Sequence, residues 1–190
     1  MKLATRLLVS FVLLASASLA AAAPSTWKID PNHTNVGFSV RHFFSQVHGR
    51  FKEVEGTITF DEADPSAIQV DATVTVSSVD TGNPNRDADL KTDHFFLAEK
   101  YPTLTFKSTK VARAGKGKYK VTGDLTMRGV TKQVTFDAEY FGSAAVGIGG
   151  ESWGKKAGFQ ATAVVNRKDF NINWNEKLDN GGLMVGDDVT

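Results

Sequence analysis

Residues 123–136, GDLTMRGVTKQVTF, carry apolar side chains at alternate positions on both sides of Arg128-Gly129: Leu125 and Met127 before it, Val134 and Phe136 after it. Successive side chains of an extended strand point to opposite faces. The segment therefore reads as a β-hairpin with one dry face, turning at Arg128-Gly129. A dry face must be covered by another layer or by the sheet curling on itself. The same period of two recurs in Val36, Phe38 and Val40, in Val54, Ile58 and Phe60, and in Ile68, Val70, Ala72, Val74 and Val76. Leu104 and Phe106 repeat it later. The alternation predicts strands over 27–30, 35–43, 49–61, 68–79, 103–112, 118–127, 131–141 and 159–167. Turns are expected at 64–66 and at Gly115-Lys116-Gly117. A glycine-rich loop is expected from Gly142 to Gly158, and a loop-like tail over 171–188.

Residues 81–85 break the alternation. Asn85 is a good helix N-cap, and Asp87 and Asp89 would sit in the first turn, where the helix dipole favours them. Leu90, His94 and Leu97 follow at helical spacing. One substantial helix of about three turns is expected over 86–97, with Asp87 able to pair with Lys91. Many strands, short turns and one helix imply an all-β fold, an antiparallel barrel. A small barrel either fills its interior with side chains or leaves room for one ligand. The strand pattern does not choose between the two.

The first 22 residues read as a secretory signal peptide: Lys2 and Arg6, an apolar run from Leu7 to Leu19, then Ala20-Ala21-Ala22 for cleavage. Cleavage after Ala20 is nearly as good, and cleavage after Ala23 would put Pro24 first. Loss of residues 1–22 removes two of the 22 basic residues and none of the 21 acidic ones, which leaves a formal charge of −1. Such a chain has no broad electrostatic reason to bind nucleic acid or an anionic membrane surface. It contains no cysteine. Thiol catalysis, zinc–thiolate sites and disulfide staples are thereby excluded, and the fold must be held by its core.

The candidate chemistry is sparse. His33, His42, His48 and His94 form no His-x-His or His-x-x-x-His pair, and a metal site needs three or four converging ligands. The expected metal set is none. His33 is better read as part of a turn after Pro31, and His42 and His94 as half-buried rings. Asp87, Asp89 and Asp93 could do acid–base work but read more simply as a solvated helix face. No Gly-x-Ser-x-Gly elbow occurs, and Gly147-Ile148-Gly149-Gly150 lacks the strand and helix of a phosphate loop. No catalytic residue is assigned.

The segments DPNHTNVGFSVRH (30–42), RDADLKTDHFF (86–96), YPTLTFKS (101–108) and the hairpin at 123–136 occur in an order that resembles the YceI-like family, from about Trp27 to Val189. Its members are secreted, lipocalin-like proteins that bind polyisoprenoid lipids. The family motif usually has histidine where this chain has Asp89. The resemblance implies a lipocalin-like barrel over 23–190 with an elongated apolar cavity, no enzymatic activity and no cofactor beyond a bound isoprenoid lipid. Cavity residues would be Phe38, Val40, Phe51, Ile58, Val74, Val76, Phe95, Leu104, Phe106, Leu125, Phe136 and Phe159. Arg86 and Lys91 are candidates for a head group, although each also reads as part of a solvated face. The implied partner is an isoprenoid lipid or isoprenoid quinone, in the periplasm, with transient membrane contact allowed. A quinone-linked redox partner and a stress-response structural protein without cargo are the alternatives. In the family, a motif like LDNGGLMVGDDV (178–189) precedes a barrel-closing strand, which is expected to be missing after Thr190. N-terminal sequencing of exported protein is expected to read from Ala23; a chain still beginning at Met1 would refute the leader.

Overall fold

The computed structural model describes residues 24–61 and 67–190. The leader and the turn expected at 64–66 lie outside the described residues. The strands are β1 (Ser25–Lys28), β2 (Val36–His42), β3 (Ser45–Phe51), β4 (Val54–Phe60), β5 (Gln69–Thr75), β6 (Val79–Asp80), β7 (Thr103–Gly115), β8 (Lys118–Met127), β9 (Val130–Ile148), β10 (Glu151–Thr162), β11 (Val165–Asn166) and β12 (Val185–Val189), with one α-helix, α1 (Pro84–Leu90). They form a seven-stranded sheet, β1-β4-β5-β7-β8-β9-β10, and a five-stranded one, β11-β12-β2-β3-β6. All pairings are antiparallel, and together the sheets make a nearly closed barrel.

The expected hairpin is present. Arg128 (φ 49°) and Gly129 (φ 73°) are both left-handed, the geometry of a two-residue turn whose twist matches its strands. Two expected strands, 49–61 and 68–79, each prove to be a strand, a corner and a second strand in the other sheet. The corners touch. Ser78 Oγ accepts from the Glu53 N–H at 3.1 Å and donates to the Thr75 carbonyl at 2.6 Å. The inward parity changes at each corner, from Phe51 to Val54 and from Val74 to Val79, while apolar residues continue on both sides, so the sequence pattern reads as one long strand.

The helix is shorter and begins earlier than expected. Asn83, not Asn85, is the N-cap: its side chain accepts from Asn85 N and Arg86 N, and Pro84 opens the first turn. Asp87 does not pair with Lys91; its Oδ1 accepts from Thr81 N at 2.8 Å and Thr81 Oγ1 at 2.6 Å. The helix stops at Leu90. Thr92 Oγ1 donates to the Asp89 carbonyl at 2.7 Å, a local bond that competes with helix continuation. Tight turns follow, with Leu97 at φ 52°. They deliver Phe95 and Phe96 to the core.

One expected loop is strand, and the loop-like tail ends in one. The glycine-rich stretch 142–158 belongs to β9 and β10, paired across two irregularities that absorb the glycines. The tail contributes β12, which pairs with β2 and β11. Asn175 prepares it by donating Nδ2–H to the Val185 carbonyl at 2.7 Å and accepting from Val185 N at 3.0 Å. Beyond β12, Thr190 exchanges both backbone bonds with Ser39, at 2.8 and 3.0 Å.

Arg167 holds the tail to the barrel. It is 4% exposed and donates to the carbonyls of Gly186 (2.8 Å), Ile172 (2.7 Å) and Trp174 (2.7 Å). Its Nη2 lies 3.5 Å from Asp187 Oδ1, near enough for charge pairing, yet neither atom has a hydrogen-bond partner among the described residues. Burial lowers the guanidinium pKa from its ordinary value, and Asp187 opposes this less strongly. Arg167→Ala strands three buried carbonyls and is expected to cost about 3 kcal/mol in urea unfolding. Arg167→Lys should recover little of it, because an ammonium lacks the planar fork.

Candidate functional site: the apolar interior

The inward faces line one continuous apolar interior, readable along the hairpin of β8 and β9. At one end Tyr119 and Val121 pack with Phe60, Ile68, Trp27, Ile58, Val70, Phe106, Phe136, Tyr140 and Phe159. At the other, Met127 and Leu125 pack with Phe170, Ile172, Phe95, Phe96, Leu104 and Val134. A third group, Phe51, Val54, Val74 and Val79 with Phe38 and Leu104, joins them under the second sheet. The Phe95 end is capped: Arg128 Nη1 donates to the Phe95 carbonyl at 2.7 Å, and Trp174 lies over His94 and Phe95.

Many of these inward side chains are only half buried. Phe38, Ile58, Val70, Leu104, Phe106, Phe136 and Phe159 face the interior yet keep part of their surface accessible. In a barrel filled by its own side chains they would be covered on every side. An open hollow of about 400 Å³ lies beside Phe38 and Phe136; Gly37, Gly49, Ala161 and Ala163 border it, and Asn35, Ser39, His48, Thr162 and Thr190 give it a polar rim. It falls in the lower part of the range for small-molecule pockets, roughly 300–1,000 Å³. A side chain at Gly49 would strike the Phe38 ring, so glycine there sets where that wall stands. A concavity of similar size, about 410 Å³, lies among Thr57, Thr59, Gln69, Asp71 and Lys107. Most of its lining occupies the parity opposite Ile58, Val70 and Phe106, with Ile68, Val70 and Val111 completing it, so this concavity is a largely polar recess over β4, β5 and β7.

The structure groups most of the expected cavity residues. Phe38, Phe51, Val74 and Leu104 share one cluster; Ile58, Phe106, Phe136 and Phe159 share the next; Phe95 and Leu125 join the third. Val76 is 0% exposed and has no surface to offer a ligand. Val40 sits half-buried between Val47 and Val189 in the sheet. Arg86 is committed to its own loop, donating Nε–H to Thr81 Oγ1 at 2.8 Å and Nη2–H to the Thr81 carbonyl at 2.9 Å. Lys91 is the C-cap residue of α1. Tyr119, Val121, Val134, Tyr140 and Trp27 were not in the expected set. The parity of β8 and β9 could have found the first four. Trp27 Nε1–H is buried without a hydrogen-bond partner among the described residues.

Polar chemistry lies outside the interior. Asp89 and His94 pair at 2.9 Å on the surface, where His94 is more exposed than expected. Asp30, more than His33, organises the turn after β1: it accepts from Asn32 N at 3.0 Å and pairs with His33 at 2.9 Å. The His33 contact, then the Asn32 N–H, holds its carboxyl below the usual range. The Gly82 N–H does the same for Asp80, with smaller help from Lys52 and Arg50. Among the described residues no group of three or more His, Asp or Glu could hold a metal ion.

A nearly closed antiparallel barrel with an apolar inner face and a hollow opening beside Phe38 and Phe136 is the architecture of a small-molecule binding barrel. Comparison with known proteins gives the lineage: the YceI-like domain pattern matches residues 27–190, and the chain belongs to the YceI-like family. Protein YceI of Shigella flexneri is 43% identical over 159 residues, covering 82% of this chain and 80% of that one. Among solved structures, Burkholderia cenocepacia BcnA superposes with a TM-score of 0.73 at 27% identity, covering 85% of this chain and 94% of that one. The Campylobacter jejuni YCEI protein gives a TM-score of 0.60 at 40% identity, covering 75% and 82%.

If the interior is hollow, truncating a wall residue costs less than truncating a sealed one. Phe170 is 1% exposed, and Phe170→Ala is expected to cost about 3–5 kcal/mol. Phe106→Ala, at a half-buried inward ring, should cost about half of that or less. Equal losses in urea unfolding would mean that the barrel is filled.

Proposed function

We propose that this protein is a non-enzymatic periplasmic carrier that holds a long isoprenoid lipid, a polyprenyl phosphate or the tail of an isoprenoid quinone, inside the barrel. The observation that carries the reading is the set of half-buried inward side chains, two of which, Phe38 and Phe136, border an open hollow of about 400 Å³. Family membership supports it, since the resemblance implies isoprenoid cargo. The leader read at residues 1–22 supports the location.

Partition is the mechanism. Each methylene moved from water to a dry wall gains about 0.8 kcal/mol. A bilayer offers nearly the same gain, so the carrier competes with membrane on even terms and can both load and release. An aromatic-walled space suits a slim, flexible tail better than a fused-ring sterol. The head group stays at the opening, because a buried phosphate without paired charges is too costly.

Organic extraction of natively purified protein is expected to yield an isoprenoid quinone or polyprenyl lipid at about one per chain. Recovery of only short polar metabolites, or of nothing, would refute the carrier and favour a structural role. Phe38→Asp or Phe106→Asp should abolish the bound lipid, since each sets a carboxylate in the dry space. Thr73→Asp, on the opposite parity of β5 from Val74, should leave it nearly unchanged.

A further inference from the structure

The ribbon made by the far halves of β9 and β10 leaves the barrel. β8 pairs with β9 no further than Glu139, so the residues beyond are paired with β10 alone. Every residue from Ser143 to Lys156 is exposed. A two-stranded ribbon in water is marginal by itself, and this one is apolar where polar residues would be expected. Ile148 is 69% exposed, Phe141 63%, Trp153 50% and Val146 37%. The turn between them is Gly149-Gly150, which has no side chain to shield them.

One carboxylate, Glu151, stands at the tip opposite Ile148, and the ribbon's cationic side chains lie further back. Residues 141–150 contain no ionisable side chain, and Lys155 and Lys156 lie further back. Lys156 pairs with Ala144, roughly 17 Å from the tip at ~3.4 Å per residue. Lys155 Nζ sits 5.5 Å from the centre of the Trp27 ring, against the barrel's aromatic end. The turn between β7 and β8, which carries Lys116, abuts the ribbon's base: Tyr140 N donates to the Gly117 carbonyl at 2.8 Å. Asp30, within electrostatic reach of Lys156, and Glu151 offset part of this positive charge.

We infer that this ribbon docks the protein on a lipid bilayer that contains anionic lipid. Val146, Ile148 and Trp153 enter the boundary between head groups and acyl chains, and Lys156 meets the phosphates. Interfacial segments bury their apolar side about 5–10 Å into that boundary. A lysine set roughly 17 Å back along the ribbon then stands at the head groups. Trp suits the boundary because one edge is apolar and the other donates a hydrogen bond. A protein partner would need a broad, complementary patch of about 800 Å², whereas this surface is a narrow ribbon exposed on both faces. Docking would hold the barrel end bearing Trp27, Phe60 and Tyr140 toward the membrane.

The test is flotation of the full chain with vesicles of phosphatidylcholine and a minority of phosphatidylglycerol. The protein is expected to float with them. The double substitution Ile148→Ser, Trp153→Ser should lower partitioning about ten-fold or more, with an unchanged melting curve. Phe44→Ser, at an exposed apolar residue on the turn between β2 and β3, should leave partitioning as it was. Bromine on the lipid chains should quench tryptophan emission in the parent and much less in Trp153→Phe. The proposal is overturned by absence of flotation, by equal flotation of the Ser variant, or by a tip substitution that changes the sedimentation mass instead, which would make the ribbon a contact between copies. Extraction of cargo is a separate measurement, so failure of either reading leaves the other standing.

Discussion

Phe106 and Phe136 meet edge to face across the interior, with ring centroids 4.9 Å apart. They belong to β7 and β9, and β8 lies between, paired to both. Their contact therefore exists only while three strands keep register. A slip of one residue would turn every inward ring of a strand out to water. Much of the molecule follows from this requirement. The left-handed pair Arg128-Gly129 sets the register of β8 against β9; the irregularity near Ser108 shifts the inward parity of β7 by one, so that Phe106 and Val111 both face the interior.

The two ends of the barrel are finished differently. At the Met127 end the chain supplies a lid: α1, the turns after it, and the tail held by Arg167 bring Phe95, Phe96, Phe170 and Ile172 against the inner face. At the Tyr119 end rings line the interior, Phe60 packs against Tyr119, Tyr140 and Phe159, and the ribbon springs from the last two. Open space remains along the side, beside Phe38 and Phe136. An apolar interior with one sealed end is suited to a tail that enters lengthwise and leaves its polar group behind.

The parity of single residues was the most legible part of the site. Phe38, Val74, Phe106 and Phe136 could be assigned to the inner face from their neighbours, because in a strand the side-chain period is two whatever the strand pairs with. The same local logic misread the corners. Nothing in the alternation of Val74 and Val76 reveals that the chain leaves one sheet between them, since both stay inward. The helix was misplaced by a similar margin. Asn83 and Asn85 are equally good caps in isolation, and Thr81, which engages Asp87 and Arg86, decides for Asn83. Arg86 looked available for a head group because its partner is a backbone carbonyl, and a carbonyl leaves no mark in the sequence.

By itself, then, the sequence determined the fold class, the hairpin at Arg128-Gly129, the absence of thiol chemistry and the inward parity of residues such as Phe38, Val74, Phe106 and Phe136. All of these depend on side-chain type and local spacing. The tertiary structure alone decided that residues 142–158 form a paired ribbon and not a loop, that 185–189 form a strand beside β2, and that a hollow stays open beside Phe38 and Phe136. Glycine-rich and polar stretches have weak preferences of their own, so distant partners choose their conformation. Hollow or filled is a property of how far apart two sheets stand, which no single strand encodes.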